Sequence, residues 1–328
     1  MKKHFFLFAV ALFFFNISFA KIWRVNNNPG TLADFTTAQA ANDNAGVLPG
    51  DSIHLEPSIT SYGDLTCTKR LIWFSIGNFL AIHPNEEYSL NAGRIDLLTA
   101  DAAGSNNSVF HINAGAANIS ASGIRLDRCL LNGLFQIGLG GTSIKMVIIN
   151  SYLKSLVAVY FADSITITNN IIESALTVSS NCTYAAITQN VINAHAAGGN
   201  NISNSRVENN IFNQATFAYT FTNCTVQYNM SGLAGILPAG NHNQNAIDMS
   251  TVFVDNNGID DASFVLKAGS PAIGAGSGSP ASDLGAFGGS SPFKLAMQPA
   301  IPSIYYIRTQ VAPSGNSFNV TFSTKGNN

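Results

Sequence analysis

Ile148-Ile149-Asn150-Ser151-Tyr152, Ile167-Thr168-Asn169-Asn170-Ile171, Ile187-Thr188-Gln189-Asn190-Val191, Val207-Glu208-Asn209-Asn210-Ile211 and Val226-Gln227-Tyr228-Asn229-Met230 align without gaps. Their first column steps by 19, 20, 20 and 19 residues, and their last column steps identically. Just before the last column runs Asn170, Asn190, Asn210 and Asn229. A period near 20 held through five copies is the mark of a solenoid. Leucine-rich repeats would place Leu at fixed offsets, and two-helix repeats need about 30 or more residues. Short β-branched stretches separated by polar turns suit a coil of three short strands, stacked on its neighbours at about 4.8 Å. This is a parallel β-helix. Ile and Val at equivalent positions, the first and last columns alike, are expected to fill its interior. The recurring Asn is expected at a sharp turn, where it tolerates left-handed backbone and hydrogen-bonds its copy in the next coil.

The same texture, less regular, extends upstream through Ser108 to Ile112, Ile119 to Leu131 and Phe135 to Leu139. A longer turn at Gly138 to Thr142 accounts for the wider spacing there. From Asp51 to Leu266 the chain holds about nine to eleven coils, a rod about 50 Å long by strand spacing. The ends of such a stack need caps. Asp34 to Ala45 reads as a short Ala-rich helix capped by Asp34, followed by the strand Ser52-Ile53-His54-Leu55. Beyond Ser290, Pro292, Pro299 and Pro302 punctuate a tail in which Ile304 to Val311 and Ser317 to Ser323 alternate as two strands around Ala312 to Asn316. The tail is too short for its own core and is expected to pack along the solenoid. The organisation is thus 1–20 leader, 21–50 cap, 51–290 β-helix with closing segment, and 291–328 two-strand tail.

Only 10% of the 328 residues are charged, against about 25% in an average soluble protein. Asn (37 residues) and Gly (28) take their place. That mix excludes a coiled coil or helical bundle. With 22 Phe, the chain can bury ample surface and is not disordered. The 16 Lys and Arg are scattered and the net charge is −2, which argues against a nucleic-acid partner. Lys2 and Lys3, the apolar run Phe5 to Phe15 and Ser18-Phe19-Ala20 predict a signal peptide over 1–20. The run is too short for a transmembrane anchor. The chain is therefore expected to be secreted or held at the cell surface. Cys67, Cys129, Cys182 and Cys224, at gaps of 62, 53 and 42, match no zinc or CxxC pattern. They read as buried free thiols or, given export, as a Cys182–Cys224 bridge plus two thiols.

Phe35 to Ala45 with Gly50-Asp51-Ser52-Ile53-His54-Leu55 resembles the opening of right-handed parallel β-helices of the pectin-lyase-like superfamily. Phe264-Val265-Leu266-Lys267, Gly269 to Gly276 and Asp283 to Gly289 resemble the closing segment of many secreted bacterial proteins of that kind, and the Asn-rich style is similar to exported proteins of Bacteroidetes-type bacteria. The resemblance covers about residues 21 to 290. It implies a right-handed coil and an all-β fold, but the superfamily holds lyases, hydrolases and adhesins, so function must come from a site.

Enzymes of that superfamily need clustered carboxylates with a basic residue, or a pair of acids. The Asn-Thr-Asp, Asp-Asp, Gly-His-Gly and Arg-Ile-Lys motifs of its polygalacturonase-type hydrolases are missing from the central coils. Lys154 and Glu173 fall at equivalent positions of consecutive coils, so they are the candidate catalytic pair, or an exposed salt bridge. Their next equivalents are Asn193 and Asn213, which extend no acidic cluster. Arg206 and Glu208 share a strand face and read as surface charges. Asp260-Asp261 reads as turn chemistry. His195 reads as a solvent-facing loop residue, and His54 and His111 as outward strand residues. No metal site or cofactor is indicated. Tyr160, Tyr184 and Tyr219 are candidate sugar-binding residues among the aromatics Phe161, Phe217, Phe221 and Tyr228 of the middle coils, although strand alternation must bury some of them. The expected function is a non-catalytic secreted or cell-surface module, structural or adhesive, with polysaccharide or cell-surface glycan as the candidate partner. The alternative is a polysaccharide lyase or glycoside hydrolase.

Overall fold

The computed structural model describes residues 20–193, 200–213, 219–256, 258, 260–299, 301–309 and 319–326. The leader, His195, Phe217 and the turn Ala312 to Asn316 lie outside the described residues. The rest is a right-handed parallel β-helix. Ten strands stack in parallel as one flat sheet, from Ile22–Val25 to Thr225–Gln227. Opposite it runs a 14-stranded sheet that forks at Asn113–Ile119. Beyond the fork each coil contributes two short strands in place of one, such as Tyr152–Leu153 and Val157–Val159. Parallel pairing begins at Ile22, inside the stretch read from sequence as a cap, because Ile22–Val25 pairs with Ser52–Leu55.

The first column of the repeat keeps the register that the spacing predicts. Ile148 pairs with Ile167, Ile167 with Ile187, Ile187 with Val207 and Val207 with Val226, and all five are buried in the coil interior. The last column does not join them. Leu130, Tyr152, Ile171, Val191, Ile211 and Met230 point out of the coil into a second apolar core. The interior on that face is filled one residue later, by Leu131, Leu153, Ile172, Ile192 and Phe212. The reason is geometric. Side chains alternate along a strand, and the sharp turn between the two columns resets which parity faces inward.

Two adjacent positions divide the turn's work. His111, Arg128, Asn150, Asn169, Gln189, Asn209 and Tyr228 occupy equivalent places, each with φ between 52° and 59°. The next residue makes the ladder. Asn190 Oδ1 accepts from the Asn170 backbone N–H at 3.0 Å and from Asn170 Nδ2 at 3.1 Å. Asn210 serves Asn190 in the same way at 2.9 and 3.0 Å, Asn229 serves Asn210, and Asn243 ends the series. Ser151 continues it upstream by donating its backbone N–H to Asn170 Oδ1. The expected ladder exists, but the left-handed backbone belongs to its neighbour. At that neighbouring place Asn209 or Asn169 suits the conformation, whereas Tyr228 tolerates it less readily.

The second core is closed by the chain itself. The described residues between 247 and 297 fold back along the outside of the coils, and Met249, Val252, Phe253, Phe264, Leu284, Phe293 and Met297 cover the outward column. Sequence suggested that this segment closes the end of the stack; the structure lays it along the flank. It grips the turn row: the Gly285 N–H donates to Asn209 O, and Asn169 Nδ2 donates to Ala286 O and Gly288 O at 2.9 and 2.8 Å. Gly285 has φ +79°, and a Cβ there would lie 2.9 Å from Ile211 Cδ1, so glycine is required for this approach.

At the other end the short helix is Ala38–Asp43, and its N-cap is Thr37, whose hydroxyl accepts from the Ala40 N–H. Asp34 instead accepts from the Arg24 N–H at 2.8 Å, so it closes a turn beside the first strand. The tail forms an antiparallel pair, Ser303–Thr309 with Val320–Lys325, tied to the solenoid by a Lys325–Glu86 ion pair and otherwise largely exposed. All four cysteines are free thiols. A Cys182–Cys224 bridge is excluded by register: Ala185 pairs with Ser205, which is level with Cys224 one coil further on. The two cysteines are thus about two coil rises apart, beyond the roughly 7 Å limit for a disulfide.

Candidate functional site

Outward rows on the flat sheet follow from register. One row runs Ser108, Arg125, Val147, Thr166, Ala186, Arg206, Thr225; the other runs Phe110, Asp127, Ile149, Thr168, Thr188, Glu208, Gln227. Residues two apart on a strand face the same way. Arg125 therefore meets Asp127 at 2.6 Å, and Arg206 meets Glu208 at 2.7 Å. Between these two pairs lies a floor three coils wide made of small or β-branched side chains, in which Thr188 and Thr168 hydroxyls are 3.1 Å apart.

Beside Arg206 the floor opens into a groove of about 320 Å³, lined by Tyr184, Thr183, Asn204 and Asn223 among others. Asn204 and Asn223 hold left-handed backbone at a second turn, φ 51° and 54°, and form a short amide ladder of their own. Asn223 Nδ2 donates to Asn204 Oδ1 at 2.8 Å, and Asn204 Nδ2 donates to Cys182 O at 2.7 Å. Tyr184 is 45% exposed. The groove thus brings together an aromatic ring, two carboxamides, hydroxyls and a guanidinium already paired with a carboxylate.

The other sequence candidates divide. Tyr219 is a core residue: it is 6% exposed, its hydroxyl accepts from the Leu176 N–H, its ring stacks at 6.1 Å on Phe221, and burial pushes its hydroxyl pKa up. It is not a sugar platform. Tyr160 is half-buried on a neighbouring face, and its hydroxyl accepts from Gln136 Nε2. Lys154 and Glu173 do follow Leu153 and Ile172 in paired strands. Their side chains meet aromatic partners: the Lys154 ammonium lies 5.5 Å from the Phe79 ring centroid, and Glu173 accepts a short hydrogen bond from the Tyr152 hydroxyl. Burial, then the Glu173 carboxylate, raises the Tyr152 pKa. These two charges are fastenings around the second core, which sequence alone could not foresee because Phe79 arrives from a distant loop.

Three further readings change. Asp260 does cap a turn, accepting from the Ser263 N–H, but Asp261 is fully buried. Its carboxylate takes His83 Nε2 at 2.6 Å and the Ala296 N–H at 2.6 Å. His111 is not an outward strand residue; it sits in the left-handed turn row, where burial, then Arg128, pushes its pKa down to about 4. Glu208 is 6% exposed beneath Arg206 rather than a free surface charge. His54 does face outward and stacks on Phe74 at 4.7 Å.

His83 and His111 give stability opposite pH slopes. The Asp261 hydrogen bond, followed by Coulomb attraction to Asp261, Glu86 and Asp260, raises the His83 pKa above 6.5. Its contribution is complete below the unfolded value and is lost as pH rises through the folded one. His111 is depressed, so its contribution is present above 6.5 and lost as pH falls toward about 4. Glu87, raised to about 7 chiefly by burial, contributes stability that is lost as pH rises from 4.5 and so opposes His111 over the same range; the loss of melting temperature above neutrality is the limb that reports His83. His83→Gln should flatten this alkaline limb; an unchanged alkaline limb would remove His83 as its source.

Among the described residues no group of three or more His, Cys, Asp and Glu is placed to hold a metal ion, and no helix is long and apolar enough to cross a membrane. Comparison with protein-family models, with curated proteins and with solved structures finds no match. The outward rows of the flat sheet hold the candidate site. Arg125 and Asp127 belong to these rows although sequence reasoning passed over them; the signal was the same Arg-x-acid spacing that marked Arg206 and Glu208.

Proposed function

We propose that this protein is a secreted or cell-surface β-helix module that binds carbohydrate on the outer face of its flat sheet without turning it over. The carrying observation is the groove in which the exposed Tyr184 stands beside Asn204, Asn223 and Arg206. A sugar offers an apolar C–H face and a ring of hydroxyls that both donate and accept. An aromatic side chain with a polar tip matches the first, and carboxamides match the second. The leader-like residues 1–20 and the resemblance of the flanking segments to pectin-lyase-like secreted proteins support the exported address and the choice of ligand class.

The carboxylates of the central coils support binding over catalysis because structural partners engage them. Asp127 is held by Arg125 and Arg128, Glu208 by Arg206, Asp163 by Thr183, and Glu173 by Tyr152. General acid–base work needs a carboxyl group directed at substrate. Glycan-array screening followed by calorimetry is expected to find a ligand whose affinity falls about tenfold or more in Tyr184→Ala, a loss of about 1.4 kcal/mol. Unsaturated products or new reducing ends appearing during incubation would return the enzyme alternative. Equal binding by Tyr184→Ala would move the site elsewhere.

A further inference from the structure

Four polar atoms near one end of the turn row are buried without a partner among the described residues: Asn78 Oδ1, His111 Nε2, Arg128 Nε and Asn150 Oδ1. Register places three of their residues in one row. Phe110 pairs with Asp127 and Asp127 with Ile149, so His111, Arg128 and Asn150 follow at the same place in three consecutive coils. Asn78 bridges the first two, its Nδ2 donating to His111 O and Arg128 O at 3.3 Å each. The lid over this row is also fixed. The Asn78 N–H donates to Ala296 O, and Gln298 Nε2 donates to Ile76 O at 2.7 Å, so the loop and the end of the closing segment shut the seam together. Asn78 and Asn150 are 1% and 2% exposed.

The hydrogen-bonding roles of the four atoms can be assigned. Asn78 uses its amide nitrogen on two carbonyls, which leaves Oδ1 as an acceptor. The His111 ring has a backbone hydrogen bond with Ser75 that favours protonation, so it is a ring N–H given to a carbonyl. With a pKa near 4 the ring is neutral at ordinary pH, and its other nitrogen, Nε2, is an acceptor. Arg128 Nε–H is a donor, while Nη1 of the same guanidinium is engaged by Asp127 at 2.9 Å. The seam thus presents acceptors from His111, Asn78 and Asn150 and one donor from Arg128.

We propose that this seam is a binding site for internal water, occupied by a molecule that accepts from Arg128 Nε–H and donates to His111 Nε2 and Asn78 Oδ1. Such a molecule makes the three hydrogen bonds typical of buried water. A second water, donating to Asn150 Oδ1 and to the first, satisfies the remaining acceptor. An anion fits poorly, since it would meet one donor and several lone pairs. A cation fits poorly too, since it would sit beside a guanidinium. The water joins the loop residue Asn78 to the turn row, adding to the bonds that Asn78 already makes to His111 O, Arg128 O and Ala296 O.

The test is a high-resolution crystal structure of the full chain near neutral pH, with a parallel bromide soak. The expected result is a density peak within about 2.7–3.2 Å of Arg128 Nε, His111 Nε2 and Asn78 Oδ1, with no anomalous signal from bromide. A seam without density, direct side-chain bonds that consume the four atoms, or an anomalous bromide peak would each overturn the proposal. The same crystals of Arg128→Met should lose the first peak, because the donor among these four atoms is gone. A peak that persists unchanged there would contradict the assigned geometry.

Discussion

Asn190→Ala is expected to lower stability by about 3–5 kcal/mol, two or three buried polar groups at about 1–3 kcal/mol each. Asn190 is fully buried, and its side chain serves both directions of the stack. Its Oδ1 accepts from the Asn170 N–H and Nδ2, and its own Nδ2 donates to Ile167 O, Thr188 O and Asn210 Oδ1. Alanine removes all of these in a turn closed on both sides by neighbouring coils. Asn190→Asp should not rescue it: the acceptor survives, but the donor is replaced by a second acceptor facing two carbonyls. Urea midpoints measured for parent and variant decide the matter. Coincident midpoints would mean that the ladder follows the fold rather than holding it.

Phe264→Ala is expected to cost a similar amount, about 3–5 kcal/mol, with a different signature. Phe264 is fully buried in the outer core and meets Phe253 edge-on at 5.7 Å. Its loss opens the layer between the closing segment and the column Tyr152, Ile171, Val191, Ile211 and Met230. The coil interior has its own apolar cluster and its own ladder, so it should persist when the outer layer loosens. Limited proteolysis is expected to cut the variant within residues 249–298 while the coils resist, and a hydrophobic dye should bind the uncovered column. Cleavage spread evenly along the chain would show instead that the two cores unfold as one.

The column that the closing segment covers also shows how far the sequence could be read. Ile148, Ile167, Ile187, Val207 and Val226 announced the fold because a parallel stack brings like residues together at each turn. Period alone therefore fixes register, and register fixes the Asn ladder and the Arg-x-acid pairs of the flat sheet. Tyr184 was one of three tyrosine candidates, and only the fold separates it, exposed, from the buried Tyr219. Facing was not legible. Ile171 and Ile172 are both apolar, and only the turn between sheets decides that Ile172 fills the coil while Ile171 awaits a covering layer.

The remaining assignments depended on contacts between segments far apart in the chain. Asp261 and His83 are 178 residues apart, and the Asn169 amide reaches a carbonyl 117 residues away. Nothing in a local pattern encodes such meetings, so Asp261 of a turn-like Asp-Asp became a buried partner of His83, and the Lys–Glu candidates lie against aromatic partners. By itself the sequence determined the solenoid, its repeat and its interior column, since these follow from short-range periodicity multiplied by stacking. The tertiary structure alone decided the second core, the lock of the closing segment and the buried polar row, because each forms where the returning chain meets coils already built.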